Sequence, residues 1–446
     1  MSNDDIKSGV NRRDFIQHAG AATFLAGTAP AIIPSNARAQ PKTLKILRWK
    51  HFVPGFDTWF EETFVPGWEA ANDTKVELNS VERGNIPSLA DADVNAGKGH
   101  DLVLFLAPRP SLEEHAIDHR EIYEECEQRY GKAIPLAERN TYNPRTDRYH
   151  GFCEGFVPTV LSYRQDLWDA VGEQPDSWDD ILKGGRKIKL LHGKPVGISL
   201  AAEANSNHSL RALLYAYGAS VQDADGRPTL KSKETLEAIK FGKALYEEAM
   251  SDVVLTWDAT SNNSFILSEE GSLTIDTLSI ARAAENKALP VDPHLALARL
   301  PEGPAGRIGP DFGTYINVIW KFAENIDGAK QFLVDYVGSS KAALLAAGFQ
   351  NMPSFPDAVP DLAELLASDP VRPERYRLLT EVFSTMTNIG HPGYANAAID
   401  DVFEAGVIPN MFARAATGAL TPEEALDEAD KAIAPIFDKW REAGKL

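Results

Sequence analysis

LKILRWKHFVPGFDTWF, residues 44–60, decides how this chain is read. Leu44, Ile46 and Leu47 have the apolar character of a buried strand. The strand ends in Trp49, Lys50, His51 and Phe52, just before the break at Pro54-Gly55. An indole, a cation, an imidazole and a phenyl ring together are either a strand-to-helix loop or groups delivered to a ligand. Working outward, 58–71 is a helix and 75–81 a second strand with Val76 and Leu78 on one face. A helix over 86–96 leads to Asp101-Leu102-Val103-Leu104-Phe105-Leu106, apolar enough for a central parallel strand. This β-α-β-α-β order predicts an α/β fold with a doubly wound sheet, whose ligands gather beyond the C-terminal strand ends. Residues 49–52 and 107–108 should share that rim.

The chain of 446 residues exceeds one ordinary core, so two lobes are expected. Its 45 Lys and Arg against 64 Asp and Glu give a net charge of −19. Phosphate-rich partners, nucleic acid and anionic membranes, are therefore repelled. At the N-terminus, Arg12-Arg13-Asp14-Phe15-Ile16 resembles a twin-arginine export signal, ahead of an apolar run interrupted by His18, Gly20 and Gly27. Ala37-Arg38-Ala39 supplies the small residues a signal peptidase reads. Residues 1–39 are accordingly expected to be a signal peptide, cleaved after Ala39, with the product free of a lipid anchor in the periplasm. Two cysteines, Cys126 and Cys153, make no disulfide scaffold, and their pairing is left open.

Gly151, Gly155 and Pro158 interrupt the apolar run over 150–163, which marks a crossing into a second lobe. There a helix opens at Asp176-Ser177-Trp178, a strand covers 195–200, and a helix runs through 212–217. Residues 222–227 form a turn between short strands, lacking the spaced acids and terminal Glu of a calcium loop. Ser232 caps the next helix, 273–277 and 314–320 are strands, and the C-terminal third is helical. Thr421-Pro422-Glu423-Glu424 is a helix start with a capping box.

Zinc-protease, nucleophile-elbow and phosphate-loop patterns are absent. His115 and His119 stand four apart on an expected helix, but flanking Glu113, Glu114 and Glu121 make it a solvated charged face, so no metal is assigned. No cofactor is expected. What remains are aromatic rings and neutral hydrogen-bonders at strand ends, the mixture that holds a sugar by stacking and hydroxyl contacts. The candidates are Trp49, His51, Phe52, Glu82, Arg83, Phe156, Asn205, Asn207, His208, Trp257, Asp276 and Tyr315.

Several segments carry a family likeness. Tyr163-Arg164-Gln165-Asp166-Leu167-Trp168, Gln174-Pro175-Asp176-Ser177-Trp178-Asp179-Asp180-Ile181, Gly218 through Asp225-Gly226-Arg227, Phe322 through Leu333 and Gly418 to Ala425 follow one another in a characteristic order. In that order the chain resembles the family 1 extracellular solute-binding proteins of ABC importers, the maltose-binding-protein-like class. The resemblance implies two α/β lobes, each a doubly wound sheet with flanking helices, joined by three crossings. It places 40–155 and 275–320 in the N-terminal lobe, and 156–274 and 321–446 in the C-terminal lobe. It also implies a solute held between the lobes and passed to a membrane permease, by a monomer. Residues 205–208 match a ligand loop, and Asp276-Thr277 the crossing back. The family's stacking Trp after that crossing is replaced by Leu278-Ser279, so Trp257 or Phe52 is expected to supply the ring. A sugar is the expected solute, with a polyol, an acidic sugar or a cationic amine as alternatives. A secreted carbohydrate-active enzyme using Glu82 and Asp276 is the competing reading.

Overall fold

The computed structural model describes residues 42–369 and 372–446; the expected signal segment lies outside them. Two separate sheets organise the fold. The first has six strands in the order Thr74–Val81, Lys42–Trp49, Leu102–Phe105, Gly313–Ile319, Phe152–Val157, Met352–Pro353. The first three are parallel, and the returning strands are antiparallel. As its apolar run required, Leu102–Phe105 is central and wholly buried. The second sheet orders Leu295–Ala298, Val160–Arg164, Leu273–Asp276 and Val196–Gly197. The chain passes between the two sheets at 157–160, 309–313 and 355–359.

The expected lobe boundaries need correcting in two places. Leu273–Asp276 pairs with Val160–Arg164, so residue 275 still belongs to the second sheet, and the chain rejoins the first only at Gly313. Residues 321–358 then pack mainly with the first core, while Leu344, Phe349 and Met352 reach the second. The cause is an aromatic spine: Phe56, Phe60, Phe64 and Trp68 recur at the four-residue spacing that puts side chains on one helix face. Their rings need a partner, and Phe332 and Tyr336 on the helix Ile326–Gly338 provide it. Phe64 lies 5.4 Å from Phe332 and 5.5 Å from Tyr336, and Trp68 lies 5.1 Å from Phe332. From Val359 onward, the buried side chains join the second core.

Local signals in the second lobe hold. Ser177 and Asp180 form a reciprocal capping box, Ser232 accepts from the Thr235 N–H, and Thr421 with Glu424 repeats the box at the last helix. Asp223 Oδ1 accepts from the Asp225 and Arg227 N–H groups, closing the expected turn. His115 and His119 do not share a helix. His115 ends a short 3-10 segment, while fully buried His119 lies near Tyr149 O (3.1 Å) and accepts from Ile319 N–H through Nε2. Cys126 and Cys153 are free thiols, each pushed up to about 12 by burial.

Candidate functional site

A cleft of about 300 Å³ opens where the two lobes face each other. The first lobe contributes Arg83, Ile86 and Pro87 from beyond its second strand, and Phe105, Leu106, Ala107 and Arg109 from the end of its third. This is the C-terminal rim a parallel sheet offers. The second lobe contributes the start of the helix Ala204–Ala216 and the helix Ala397–Glu404 with the turn beyond it.

The second-lobe wall is built around the start of the helix Ala204–Ala216. Glu203 accepts from the Asn205 and Ser206 N–H groups at 2.6 and 2.7 Å, satisfying donors that a helix start leaves free. Asn207 donates to the carbonyls of Glu203 and Phe403, both at 3.3 Å, tying this helix to Ala397–Glu404. Its Oδ1 accepts from Arg211 Nη1 at 2.5 Å. Arg211 lies one turn behind the wall, fully buried, its guanidinium 5.1 Å from the Phe403 ring. Its Nε and Nη2 have no partner among the described residues, and loss of water lowers it to about 10. His208 stacks on Phe312 at 5.0 Å with Nδ1 unpartnered, and burial pushes it down to about 3, so the ring is neutral. Across the cleft, Arg109 Nε approaches Asp400 Oδ2 at 3.5 Å. Loss of water still raises the Asp400 carboxyl to about 7, because one long contact to Arg109 returns less than burial removes.

Of the expected residues, the structure brings Arg83, Asn207 and His208 to this cleft. Trp49 is a core ring, stacked 6.4 Å from Tyr315. His51 is buried and fully engaged. Its Nδ1 accepts from Val53 N–H (2.9 Å), leaving the proton on Nε2 for Asn351 Oδ1 at 2.8 Å. Tyr315 is also buried, donating to the same Oδ1 at 2.7 Å. Phe52 is 63% exposed but outside the cleft lining, held edge-on to Trp49 at 4.9 Å. Glu82 points to solvent 3.9 Å from Lys50. Phe156 is a core ring against Phe383, and Trp257 packs edge-on against Phe265, so neither offers a face to the cleft. Asn205 is spent on Ile275 O and Ser209, and Thr277 accepts from Ser279 N–H. Asp276 is buried beside Ser279 Oγ, with desolvation raising it to about 7. Neither Glu82 nor Asp276 lines the cleft.

The cleft residues that the sequence reading missed fall into two kinds. Arg109 lies one residue past the expected rim at 107–108, so the strand end was its signal. Asp400, Phe403 and Glu404 sit far along the chain (Phe403 is 196 residues beyond Asn207) on a helix whose local pattern carries no mark of a ligand.

The model of the bacterial extracellular solute-binding protein family matches residues 53–344. Among curated relatives, a binding protein of Brucella abortus is 24% identical over 155 residues, 34% of this chain and only 37% of that protein. Solved structures share the fold over nearly their whole length. A solute-binding protein of Thermotoga lettingae, bound with α-D-tagatose, aligns at a TM-score of 0.70 and 19% identity, covering 89% of this chain and all of that one. A sugar transporter protein of Arthrobacter chlorophenolicus with laminaribiose aligns at 0.72 and 16%, covering 88% and 98%. With the family model spanning well over half of its length, the chain belongs to the bacterial extracellular solute-binding proteins.

Proposed function

We propose that this protein is the periplasmic receptor of an ABC importer, capturing a sugar or sugar-like solute between its lobes and handing it to a membrane permease. The observation that carries the reading is the composition of the cleft. Both lobes line it, with aromatic edges (Phe105, Phe403) set among side chains that exchange hydrogen bonds with hydroxyls (Arg83, Asn207, Arg109, Asp400). The sugars bound by the aligned Thermotoga and Arthrobacter proteins support it. Binding is favoured over glycoside hydrolysis because the pair expected for hydrolysis, Glu82 and Asp276, stands outside the cleft, and of the carboxylates that line it Glu203 is held by backbone N–H groups and Asp400 by Arg109. Export by the twin-arginine route rests on Arg12-Arg13, and cell fractionation of an R12K/R13K variant tests it.

Incubation with a panel of mono- and disaccharides tests the binding reading. A bound sugar should raise the melting temperature, come back chemically unchanged, and reduce the radius of gyration in X-ray scattering as the hinges bend. Turnover of any sugar, or an unchanged scattering profile at saturation, would count against it.

A further inference from the structure

The charges around the cleft are not equivalent. Two of its carboxylates are engaged, Glu203 by two backbone N–H groups and Asp400 by Arg109, while exposed Glu404 makes no hydrogen bond or ion pair among the described residues. Arg83 lines the cleft half-buried and makes no hydrogen bond or ion pair among the described residues. The carboxylates of Glu404 and Glu203 reach it only as fields, while loss of water lowers its pKa. Behind the opposite wall and outside the cleft lining, Arg211 is buried with two nitrogens unpartnered and no carboxylate on it among the described residues. A buried cation without an anion is costly, and a ligand that supplies the anion on closure removes that cost.

Resting on the reading above that this cleft holds the solute, we infer that the solute is an acidic sugar. Its single carboxylate meets the Arg83 guanidinium, whose planar fork matches two coplanar acceptor oxygens. A monoanion suits the balance better than a phosphate. Further negative charge would face Glu203, Glu404 and Asp400. The chain's net charge of −19 works against any anion at a distance, so the affinity must come from this short-range contact.

Titration calorimetry of the mature protein with D-glucuronate and D-galacturonate, beside glucose, galactose and glucose 6-phosphate, tests this. A uronate should bind at least tenfold more tightly than its neutral parent, and its methyl ester should fall back to the parent's affinity. Arg83→Gln should weaken the uronate by tenfold or more and abolish its advantage over the neutral parent, and Arg83→Lys should recover part of that advantage. Should the variants not fold, the ester comparison on wild-type protein decides alone. Neutral sugars bound as tightly as uronates overturn the inference and leave the sugar-receptor reading standing. Preference for glucose 6-phosphate overturns the carboxylate assignment. No binding by any member of the panel counts against both.

Discussion

Two buried polar clusters, one in each lobe, differ in whether their hydrogen bonds are complete. In the first lobe, both nitrogens of His51 and the hydroxyl of Tyr315 have partners, with Trp49 packed beside them. In the second, His208 Nδ1 and two nitrogens of Arg211 have none among the described residues. Burying a polar group without a partner costs about 1–3 kcal/mol, a cost that a ligand or water reaching the cleft can offset for His208, whereas His150, whose two ring nitrogens are also unpartnered among the described residues, lies away from it. The first cluster carries the residue types of a binding site and serves as core. The second, of duller sequence, adjoins the cleft.

The sharpest way to break this contrast is Trp49→Ala. Removing a buried indole should cost about 3–5 kcal/mol of stability in urea unfolding. Unchanged stability with loss of solute binding would return Trp49 to the ligand.

Asp400→Asn probes the other side through pH. The folded carboxyl stands near 7 against about 3.9 in the unfolded chain, so its contribution is full at low pH and is lost as pH rises through 7. The Asn variant should therefore gain on wild type between about pH 4 and pH 7, by at most about 1.4 kcal/mol per pH unit. A gap in thermal unfolding that moves the opposite way would mean that the Arg109 contact outweighs burial.

His51→Ala should cost about 1–3 kcal/mol, since it strands the Val53 N–H and removes one of two donors to Asn351. A variant as stable as wild type would make the first cluster as incomplete as the second. Phe52→Ala should do least, within about 0.5 kcal/mol in the same unfolding measurement, because its ring is already mostly in water. A larger loss would place Phe52 in the core with Trp49.

Strands and caps were legible because their causes are local. The apolar run through Phe105 needs burial on both faces, and Ser177 with Asp180 closes a box within four residues. The lobe boundary was not legible beyond 320. Phe332 and Tyr336 read as an ordinary amphipathic helix until the rings at 56, 60, 64 and 68 meet them. For the candidate site, the rim of the first sheet points to Arg83 and the loop at 205–208 to Asn207 and His208, and all three line the cleft. The same reasoning also gathered Trp49, His51 and Tyr315, since residue type and a strand end do not say which way a ring turns.

By itself, the sequence determined the alternation of strands and helices, the need for two cores, and the family, because periodicity and capping act over a few residues. Only the tertiary structure decided which polar groups were satisfied. The partner of His51 is Asn351, three hundred residues on, and the carboxylate facing Arg109 is Asp400. A hydrogen bond is made in space, and its completeness cannot be read from one end of it.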